Sequence, residues 1–221
     1  SFNEGLNLCL CNEELIVKPS VETGGSKGIV FWKSQEGQDR LGNILLNGGN
    51  NLVIQRLIKQ HDSLNSIHMS SVNTIRIISL IFNQEIHLLS SVLRMGINGS
   101  RVDNASAGGI TCGIKEDGKL KDVAYTAHGI KFDTHPQGYI FNQFEVPNYE
   151  EVKKLVKSQH KKLAHFRLVS WDIAIDESGA PVLIEANLRN GESDFHQFNN
   201  GPLFGDLTDA VLEEVFQSNK I

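Results

Sequence analysis

The chain has 221 residues, of which 40% are hydrophobic and 21% are charged, as expected of a globular protein with one large domain or two small ones. Its formal net charge of −5 argues against nucleic acid as the main partner, because phosphate backbones select basic surfaces. Three cysteines are too few for a disulfide framework, and no apolar run is long enough to span a membrane, so we expect a cytoplasmic protein.

The first part of the chain predicts strands separated by polar turns. Four apolar runs have strand character: LIVKP (15–19), GIVFW (28–32), NTIRIISLIF (73–82) and EIHLLSSVLRMG (85–96). The first two flank a glycine-rich turn, ETGGSKG, and the last two predict a hairpin around Asn83–Gln84. Between the pairs, residues 35–47 predict a helix that ends at a Gly-Gly-Asn-Asn cluster, and residues 52–58 are a further apolar run.

The second part of the chain combines a long irregular stretch with clearer elements. Residues 97–145 are rich in Gly, Asn, Asp and Ser and predict an irregular segment that is functional or mobile. A helix is predicted at 149–164, and a second hairpin pairs 168–175 with 180–187. Residues 206–216 predict a closing amphipathic helix. This order of elements predicts an α+β fold with antiparallel sheets.

The second hairpin brings polar side chains into an apolar setting. Asp172 on the first strand is predicted to lie close to opposite Glu185, and Asn187 shares the face of Glu185 because strand side chains alternate. Oxygen-only ligands suit Mg²⁺, which prefers one or two carboxylates together with substrate phosphates. The alternative is a cross-strand polar cluster on a solvated face. The apolar flanking residues argue against it, since they predict that both faces are partly covered.

Two further features predict anion binding. Lys18 precedes the glycine-rich turn, whose backbone amides can approach a phosphate, although many hairpins have such a turn. Arg76 and Arg94 lie within apolar strands, where a guanidinium needs an anionic partner or a wet cavity, and a structural salt bridge is the alternative. No metal-ligand spacing links the histidines, and five of them are interpreted as surface or packing residues in loops: His61, His68, His128, His135 and His196.

These segments, in this order, resemble the ATP-grasp superfamily and, more narrowly, its bacterial group associated with sugar transfer and polysaccharide biosynthesis. The matching residues are LIVKPSVETGGSKGI, IQRLIKQH, SVNTIRI, LRMGINGSRVDNASAGG, SWDIAI and LIEAN. The resemblance implies two α+β subdomains that sandwich a nucleotide: residues 1–58 with the glycine-rich lid, and residues 59–221 with the metal site and closing helix. Only about 14 residues precede the first strand, so we expect the usual N-terminal domain to be missing from this chain.

The resemblance also implies roles for matching positions. For ATP, these are Lys18 at the α/β-phosphates, Gly24, Gly25, Ser26 and Gly28 in the lid, Gln55, Arg56 and Ile58 around adenine, and Asp62 at the ribose. Asp172, Glu185 and Asn187 match Mg²⁺ ligands, with Mn²⁺ as a substitute metal. Arg76 and Arg94 match the cations that hold the γ-phosphate and an acyl-phosphate. Loop 98–109 matches the acceptor-substrate region, through Arg101, Asn104, Gly108 and Gly109.

The reaction that this resemblance implies is an ATP-dependent ligation. A small carboxylate is activated as an acyl-phosphate, and an amine or a glycan-precursor acceptor then displaces phosphate, in polysaccharide or cell-surface glycan biosynthesis. Ser170 departs from the D-alanine ligase pattern, which has an arginine two residues before the metal-binding aspartate. The alternatives are a kinase-like phosphotransferase, a non-catalytic ATP-binding module of a longer protein, and an α+β domain whose strand ends are merely polar.

Overall fold

The computed structural model describes residues 14–20, 28–48, 51–103, 108–189 and 191–218. The chain divides into two compact units, Ser1–Ile58 and Lys59–Ile221. Four residues with predicted roles, Gly24, Gly25, Ser26 and Asn104, lie outside the described residues. None of the helices within the described ranges is long and apolar enough to cross a membrane.

The described residues of the first unit form a three-stranded antiparallel sheet and one α-helix. Its elements are β1 (Glu14–Pro19), β2 (Val30–Lys33), a 3-10 turn (Ser34–Glu36), α1 (Gly37–Asn47) and β3 (Leu52–Arg56). The strand order is β2-β1-β3, so the strand that contains Lys18 is central. Leu15, Trp32 and Leu41 form a small buried core that joins the sheet to α1. The strands and the helix predicted for this region are confirmed.

The second unit contains a seven-stranded antiparallel sheet in the order β10-β9-β4-β5-β6-β7-β8. Its strands are β4 (Thr74–Phe82), β5 (Glu85–Met95), β6 (Ile110–Ile114), β7 (Leu120–Thr126), β8 (Lys131–Phe132), β9 (Leu168–Ile175) and β10 (Pro181–Asn187). Its helices are α2 (Asp62–Asn65), α3 (Tyr149–Lys162), α4 (Ser193–Asn200) and α5 (Thr208–Ser218), with 3-10 turns at Phe141–Gln143 and Gly205–Leu207. Both units are therefore α+β with antiparallel sheets, as predicted.

Local turn chemistry explains the two predicted hairpins. Asn83 and Gln84 have φ angles of 49° and 64°, and two successive left-handed residues match the twist of paired strands. In the β9–β10 turn, the Asp176 carboxylate accepts hydrogen bonds from the backbone amides of Ser178 and Ala180, both at 2.9 Å. Gly179 adopts φ 84°, which a residue with a Cβ rarely does.

The prediction that residues 97–145 are irregular is wrong. This stretch contributes β6, β7 and β8 to the sheet, and Ile110, Cys112 and Ala124 are fully buried. The apolar residues alternate with Thr111 and Gly113, so the period of two was present in the sequence. Small and polar residues between the apolar ones obscured it, and the tertiary pairing of β6 with β5 decides the conformation.

One face of the large sheet is apolar and packs against α3. The helix was predicted at 149–164 and ends at Lys162, with Val152 and Val156 fully buried against the sheet. The sheet residues of this apolar face alternate along their strands: Ile75 and Ile77 on β4, Leu93 and Met95 on β5, Ile110 and Cys112 on β6, and Trp171 and Ile173 on β9. The opposite face of the same strands, called the polar face below, contains Arg76, Arg94, Thr111 and Asp172 among a few apolar residues.

Two predictions about burial need correction. β10 was expected to be a covered strand, but it lies at the edge of the sheet, where Leu183 is exposed. The closing helix α5 forms, but Leu212, Val215 and Phe216 on its apolar side are exposed. Arg167 pairs with Glu214 of α5 through two hydrogen bonds of 2.7 and 3.0 Å. Hydrophobic periodicity predicts a helix, but it does not identify the surface against which the helix packs.

Candidate active site on the polar face of the sheet

The polar face of the large sheet contains a cluster of buried charges. Arg76 lies directly opposite Asp172 where β4 pairs with β9, and Arg94 extends from the same face of β5. Arg76, Arg94 and Asp172 are 6%, 3% and 5% exposed. Ionisable side chains buried this deeply need partners, because an isolated charge in a protein interior is very unfavourable.

Asp172 is the centre of this cluster. Arg76 donates from Nε to Oδ1 and from a terminal nitrogen to Oδ2, both at 2.6 Å, in the bidentate geometry that arginine and carboxylate favour. Arg94 donates to Oδ2 at 3.1 Å. The carboxylate therefore fixes both guanidinium groups on the polar face of the sheet.

Two more carboxylates complete the cluster, and the sequence did not suggest either. Glu192, which precedes α4, accepts a hydrogen bond from Arg76, and its side chain is half exposed. Asp103 accepts hydrogen bonds from the backbone amide of Thr74, at 3.1 Å, and from the Thr74 hydroxyl, and one of its oxygens lies 3.7 Å from Arg94. Both are long-range contacts, so no sequence spacing signals them.

The cluster shifts the pKa values of its members. Burial alone would raise the pKa of Asp172, but the hydrogen bond from Arg76 and the charges of Arg94 and Arg76 outweigh it, so the pKa is lowered. Burial alone would lower the pKa of Arg76, but the hydrogen bond and charge of Asp172 and the charge of Glu192 raise it. Both groups are therefore charged at neutral pH.

A β-bulge aligns the predicted metal ligands. Leu183 pairs with Ile173 and Glu185 pairs with Asp172, so Ile184 is an extra residue in β10. Asn187 pairs with Ser170, two residues along the same face. The register thus places Asp172, Glu185 and Asn187 on one face of the hairpin.

The chemistry of these three side chains fits Mg²⁺. They supply two carboxylates and an amide oxygen, the hard ligands that this ion prefers. The Asp172 carboxylate has about four acceptor positions. Three of them accept hydrogen bonds from Arg76 and Arg94, and one remains available. Among the described residues Glu185 has no hydrogen bond or ion pair, so its carboxylate is available to a metal. Groups of three His, Cys, Asp or Glu placed for a metal are absent from the described part of the chain.

The remaining predicted residues are distributed over both units. In the first unit, Lys18 is half-buried and pairs with Val53, and Gly28, Gln55 and Arg56 are exposed, whereas Ile58 is half-buried. In the second unit, the exposed Asp62 begins α2, Arg101 and Gly108 are exposed, and Gly109 is buried just before β6. Within the second unit, the structure brings together Arg76, Arg94 and Asp172, with Glu185 on the adjacent strand.

Helix α4 covers part of the polar face and was not predicted. Phe195 packs against the guanidinium of Arg76, 5.8 Å from the ring centre. Asn199 donates to Oγ1 of Thr111 at 2.9 Å, and Asn200 donates to the Ser91 carbonyl at 2.9 Å. The sequence SDFHQFNN has weak helix propensity, so these contacts with the sheet explain why the segment is helical.

His196 of α4 is fully buried beside the charged cluster, so its interpretation as a loop residue is wrong. Its Nδ1 lies 2.8 Å from the Ser90 hydroxyl. Burial and the charge of Arg76 lower the pKa of His196 to about 3, so the ring is neutral. His68 and His135 are also buried, as packing residues, whereas His61 caps α2 and His128 is exposed.

The fold is similar to that of a solved ATP-grasp ligase. The ATP-grasp ligase PsnB, complexed with a phosphomimetic variant of minimal precursor, Mg and ADP, has a TM-score of 0.55 and 12% identity, over 96% of this chain and 50% of that chain. D-alanyl-alanine synthetase A from Vibrio cholerae O1 has a TM-score of 0.49 and 9% identity, over 94% and 50%. L-amino acid ligase from Bacillus licheniformis has a TM-score of 0.49 and 17% identity, over 87% and 37%. This chain therefore spans about half or less of each structure.

The sequence comparisons identify the family. No curated protein sequence matches this chain. The model of the family described as sugar-transfer associated ATP-grasp matches residues 41–211, well over half of the chain and including the whole charged cluster. The chain belongs to the sugar-transfer associated ATP-grasp family.

Proposed function

We propose that this chain is the nucleotide-binding part of an ATP- and Mg²⁺-dependent ligase that joins a carboxylate to an amine or another nucleophile through an acyl-phosphate. The main support is the buried Arg76–Asp172–Arg94 cluster with Glu185 opposite Asp172. Two guanidiniums on one face suit an anionic group, and the adjacent oxygen ligands suit the metal that accompanies phosphates. Membership of the ATP-grasp family supports the same proposal.

In this proposal Asp172 positions the two guanidinium groups before the anion arrives. Its hydrogen bonds hold Arg76 and Arg94 in place, so little reorganisation is needed when negative charge develops on the transferred phosphoryl group. Glu192 is the half-exposed partner of Arg76, and an incoming anion would exchange with it. Removing one of these arginines should raise the activation barrier by roughly 3–4 kcal/mol, by analogy with a lost oxyanion donor.

Glu185 and Asn187, with the remaining acceptor position of Asp172, would hold the metal. When bound, Mg²⁺ would polarise phosphate oxygens and hold them in a fixed orientation. Lys18 and the glycine-rich segment of the first unit would contact the nucleotide phosphates. Arg101, Gly108 and Gly109, in the segment before β6, would lie at the acceptor substrate. For the acceptor, we propose an amine or a glycan precursor in polysaccharide biosynthesis.

The test is calorimetric titration of this chain with the β,γ-imido analogue of ATP, with and without Mg²⁺. Binding should require Mg²⁺ and should be lost in Glu185→Ala. The matched control is Glu177→Ala, which removes an exposed glutamate from the turn of the same hairpin and should bind normally. Equal binding by the Glu185→Ala variant and the wild type would contradict the metal assignment.

Product stoichiometry tests the reaction class. A ligase releases ADP and inorganic phosphate in equal amounts when both substrates are present, whereas a kinase-like phosphotransferase leaves a phosphorylated product. Turnover should disappear in Asp172→Ala and in Glu185→Ala. Nucleotide binding with no turnover for any carboxylate–amine pair would favour the alternative of a non-catalytic ATP-binding module.

A further inference from the structure

Two serine–histidine pairs lie on opposite faces of the large sheet, and they differ in the hydrogen bonding of the histidine Nε2 atom. On the apolar face, Nε1 of Trp171 donates to the Ser79 hydroxyl at 2.7 Å, and Ser79 Oγ lies 2.7 Å from Nδ1 of His160. Nε2 of His160 lies 2.8 Å from the carbonyl of Phe166, which only accepts. His160 therefore has its hydrogen on Nε2, and every group in this chain of hydrogen bonds has a partner.

The pair on the polar face begins in the same way. Asn200 donates from Nδ2 to the Ser91 carbonyl at 2.9 Å, which fixes the orientation of its amide group. The same nitrogen donates to the Ser90 hydroxyl at 2.8 Å, and Ser90 Oγ lies 2.8 Å from Nδ1 of His196. Among the described residues the Ser90 hydroxyl hydrogen has no other acceptor, so it is donated to Nδ1. The hydrogen of the neutral His196 ring is therefore on Nε2.

At the other end of the ring, the two pairs differ. Nε2 of His196 is buried and has no hydrogen-bond partner among the described residues. The His196 ring stacks on Phe195, with ring centres 5.1 Å apart, and the Phe195 ring packs against the guanidinium of Arg76, so His196 lies near the charged cluster. Leaving a buried donor unpartnered is costly, and the His160 pair shows that the same fold satisfies such a donor where no ligand is needed.

We propose that His196 is a further binding residue of the charged site, whose Nε2–H donates to an oxygen of the anionic group that Arg76 and Arg94 hold. This inference rests on the proposed function for the identity of the anion, which is a phosphoryl or a carboxylate group. A neutral donor adds a directed hydrogen bond without adding a third positive charge beside Asp172. Asn200 and Ser90 act through the ring, because they fix which nitrogen has the hydrogen.

The first test is NMR of the imidazole nitrogens in the full chain, with His160 as an internal control. Both rings should have their hydrogen on Nε2 and none on Nδ1. The imido analogue of ATP with Mg²⁺, inorganic phosphate and acetate are then added separately. At least one of them should shift the Nε2–H proton of His196 downfield and leave that of His160 unchanged. A response to the analogue and phosphate identifies a phosphoryl oxygen, and a response to acetate alone identifies a carboxylate.

Matched substitutions provide the second test. Glutamine places an amide nitrogen near the position of Nε2, whereas asparagine places one near Nδ1, and both remove the ring. His196→Asn should therefore bind the responding anion about tenfold to hundredfold more weakly than the wild type, as expected for a lost hydrogen bond to a charged group. His196→Gln should recover much of this loss. As a control, His160→Asn and His160→Gln should not differ from each other in anion binding.

The outcomes separate this inference from the proposed function. If the nucleotide analogue binds in a Mg²⁺- and Glu185-dependent way and His196 does not respond to any of the anions, the function stands and the inference is wrong. If the analogue does not bind but phosphate or acetate moves the His196 resonance, the inference stands and the ATP-dependent function is wrong. A hydrogen found on Nδ1 of His196, or equal binding by the Asn and Gln variants, also overturns the inference. The Ser90→Ala variant, which should increase the Nδ1–H form, provides a check if the His196 variants fail to fold.

Discussion

The two faces of the large sheet differ in how their buried polar groups find hydrogen-bond partners. On the apolar face, Ser79, His160 and Trp171 form a closed chain of hydrogen bonds inside a hydrophobic core. On the polar face, Arg76 and Arg94 share one carboxylate, and buried atoms of Ser170, Asn187 and His196 have no partner among the described residues. The comparison sets a chain of hydrogen bonds in which every group has a partner against a charged cluster beside which some buried polar atoms have none among the described residues.

The largest expected difference between the faces concerns Asp172. Asp172→Ala leaves two buried guanidiniums without their shared carboxylate, and we expect the free energy of unfolding to fall by about 3–5 kcal/mol. Urea denaturation measures this change. Asp172→Leu combined with Arg76→Met and Arg94→Met should restore much of the stability, because apolar residues of similar volume can replace a buried ion cluster. If the triple variant lost as much unfolding free energy as Asp172→Ala, packing rather than charge would explain the loss of stability.

A second prediction concerns acid stability. The folded chain keeps His196 neutral down to a pKa of about 3, whereas an unfolded chain binds this proton below its ordinary pKa of 6.5. The contribution of neutral His196 to the free energy of unfolding is therefore fully present above pH 6.5, and it is lost as the pH falls from 6.5 towards 3. Between about pH 7.5 and pH 5 the loss is about 2 kcal/mol, at about 1.36 kcal/mol per pH unit.

The measurement is the pH dependence of urea denaturation for the wild type and for His196→Gln. The variant should lack this part of the pH dependence. The pKa of His135 is also lowered by burial, so it contributes in the same direction in both proteins, and the difference between them isolates His196. Identical pH profiles for the two proteins would contradict the burial of a neutral His196.

A third prediction compares the two serines. Ser79→Ala leaves the indole N–H of Trp171 and Nδ1 of His160 without partners in the core, and we expect a loss of about 2 kcal/mol. Ser90→Ala should cost only about 1 kcal/mol, because Asn200 keeps its bond to the Ser91 carbonyl. Thermal and urea denaturation of both variants give the comparison. A larger cost at Ser90 would reverse the distinction between the two faces.

The smallest expected change in stability is at Glu185. This residue pairs with Asp172 across the hairpin but is exposed, so Glu185→Ala should change the free energy of unfolding by no more than about 0.5 kcal/mol. The same substitution should abolish Mg²⁺-dependent binding of the imido analogue. A substantial loss of stability would instead assign Glu185 a structural role.

The elements that could be predicted from the sequence are those with local determinants. Asn83–Gln84 and Ser178–Gly179 have turn chemistry that defines each hairpin before any tertiary contact forms. The arginines of the site were identifiable because Arg76 and Arg94 interrupt apolar strands, where a charge requires an explanation.

The elements that escaped prediction depend on distant partners. β6 and β7 contain small and polar residues, and their strand conformation is imposed by the pairing of β6 with β5 and of β7 with β6. Helix α4 is held by Asn199 and Asn200, which bond to strands far away in the sequence. Asp103 and Glu192 join the charged cluster from connecting segments, and nothing in their sequence neighbourhood identifies the arginines that they contact.

The extra residue Ile184 in β10 has a consequence for how this hairpin can change in evolution. With regular pairing from Leu183 onwards, Ile184 would lie opposite Asp172, and Glu185 and Asn187 would project into the hydrophobic core. With the turn unchanged, a single-residue insertion or deletion among the paired residues Pro181–Leu183 would also misalign Glu185 with Asp172 unless the bulge disappeared with it. Length changes in this part of β10 should therefore come together with loss of the bulge, whereas the turn itself can vary in length.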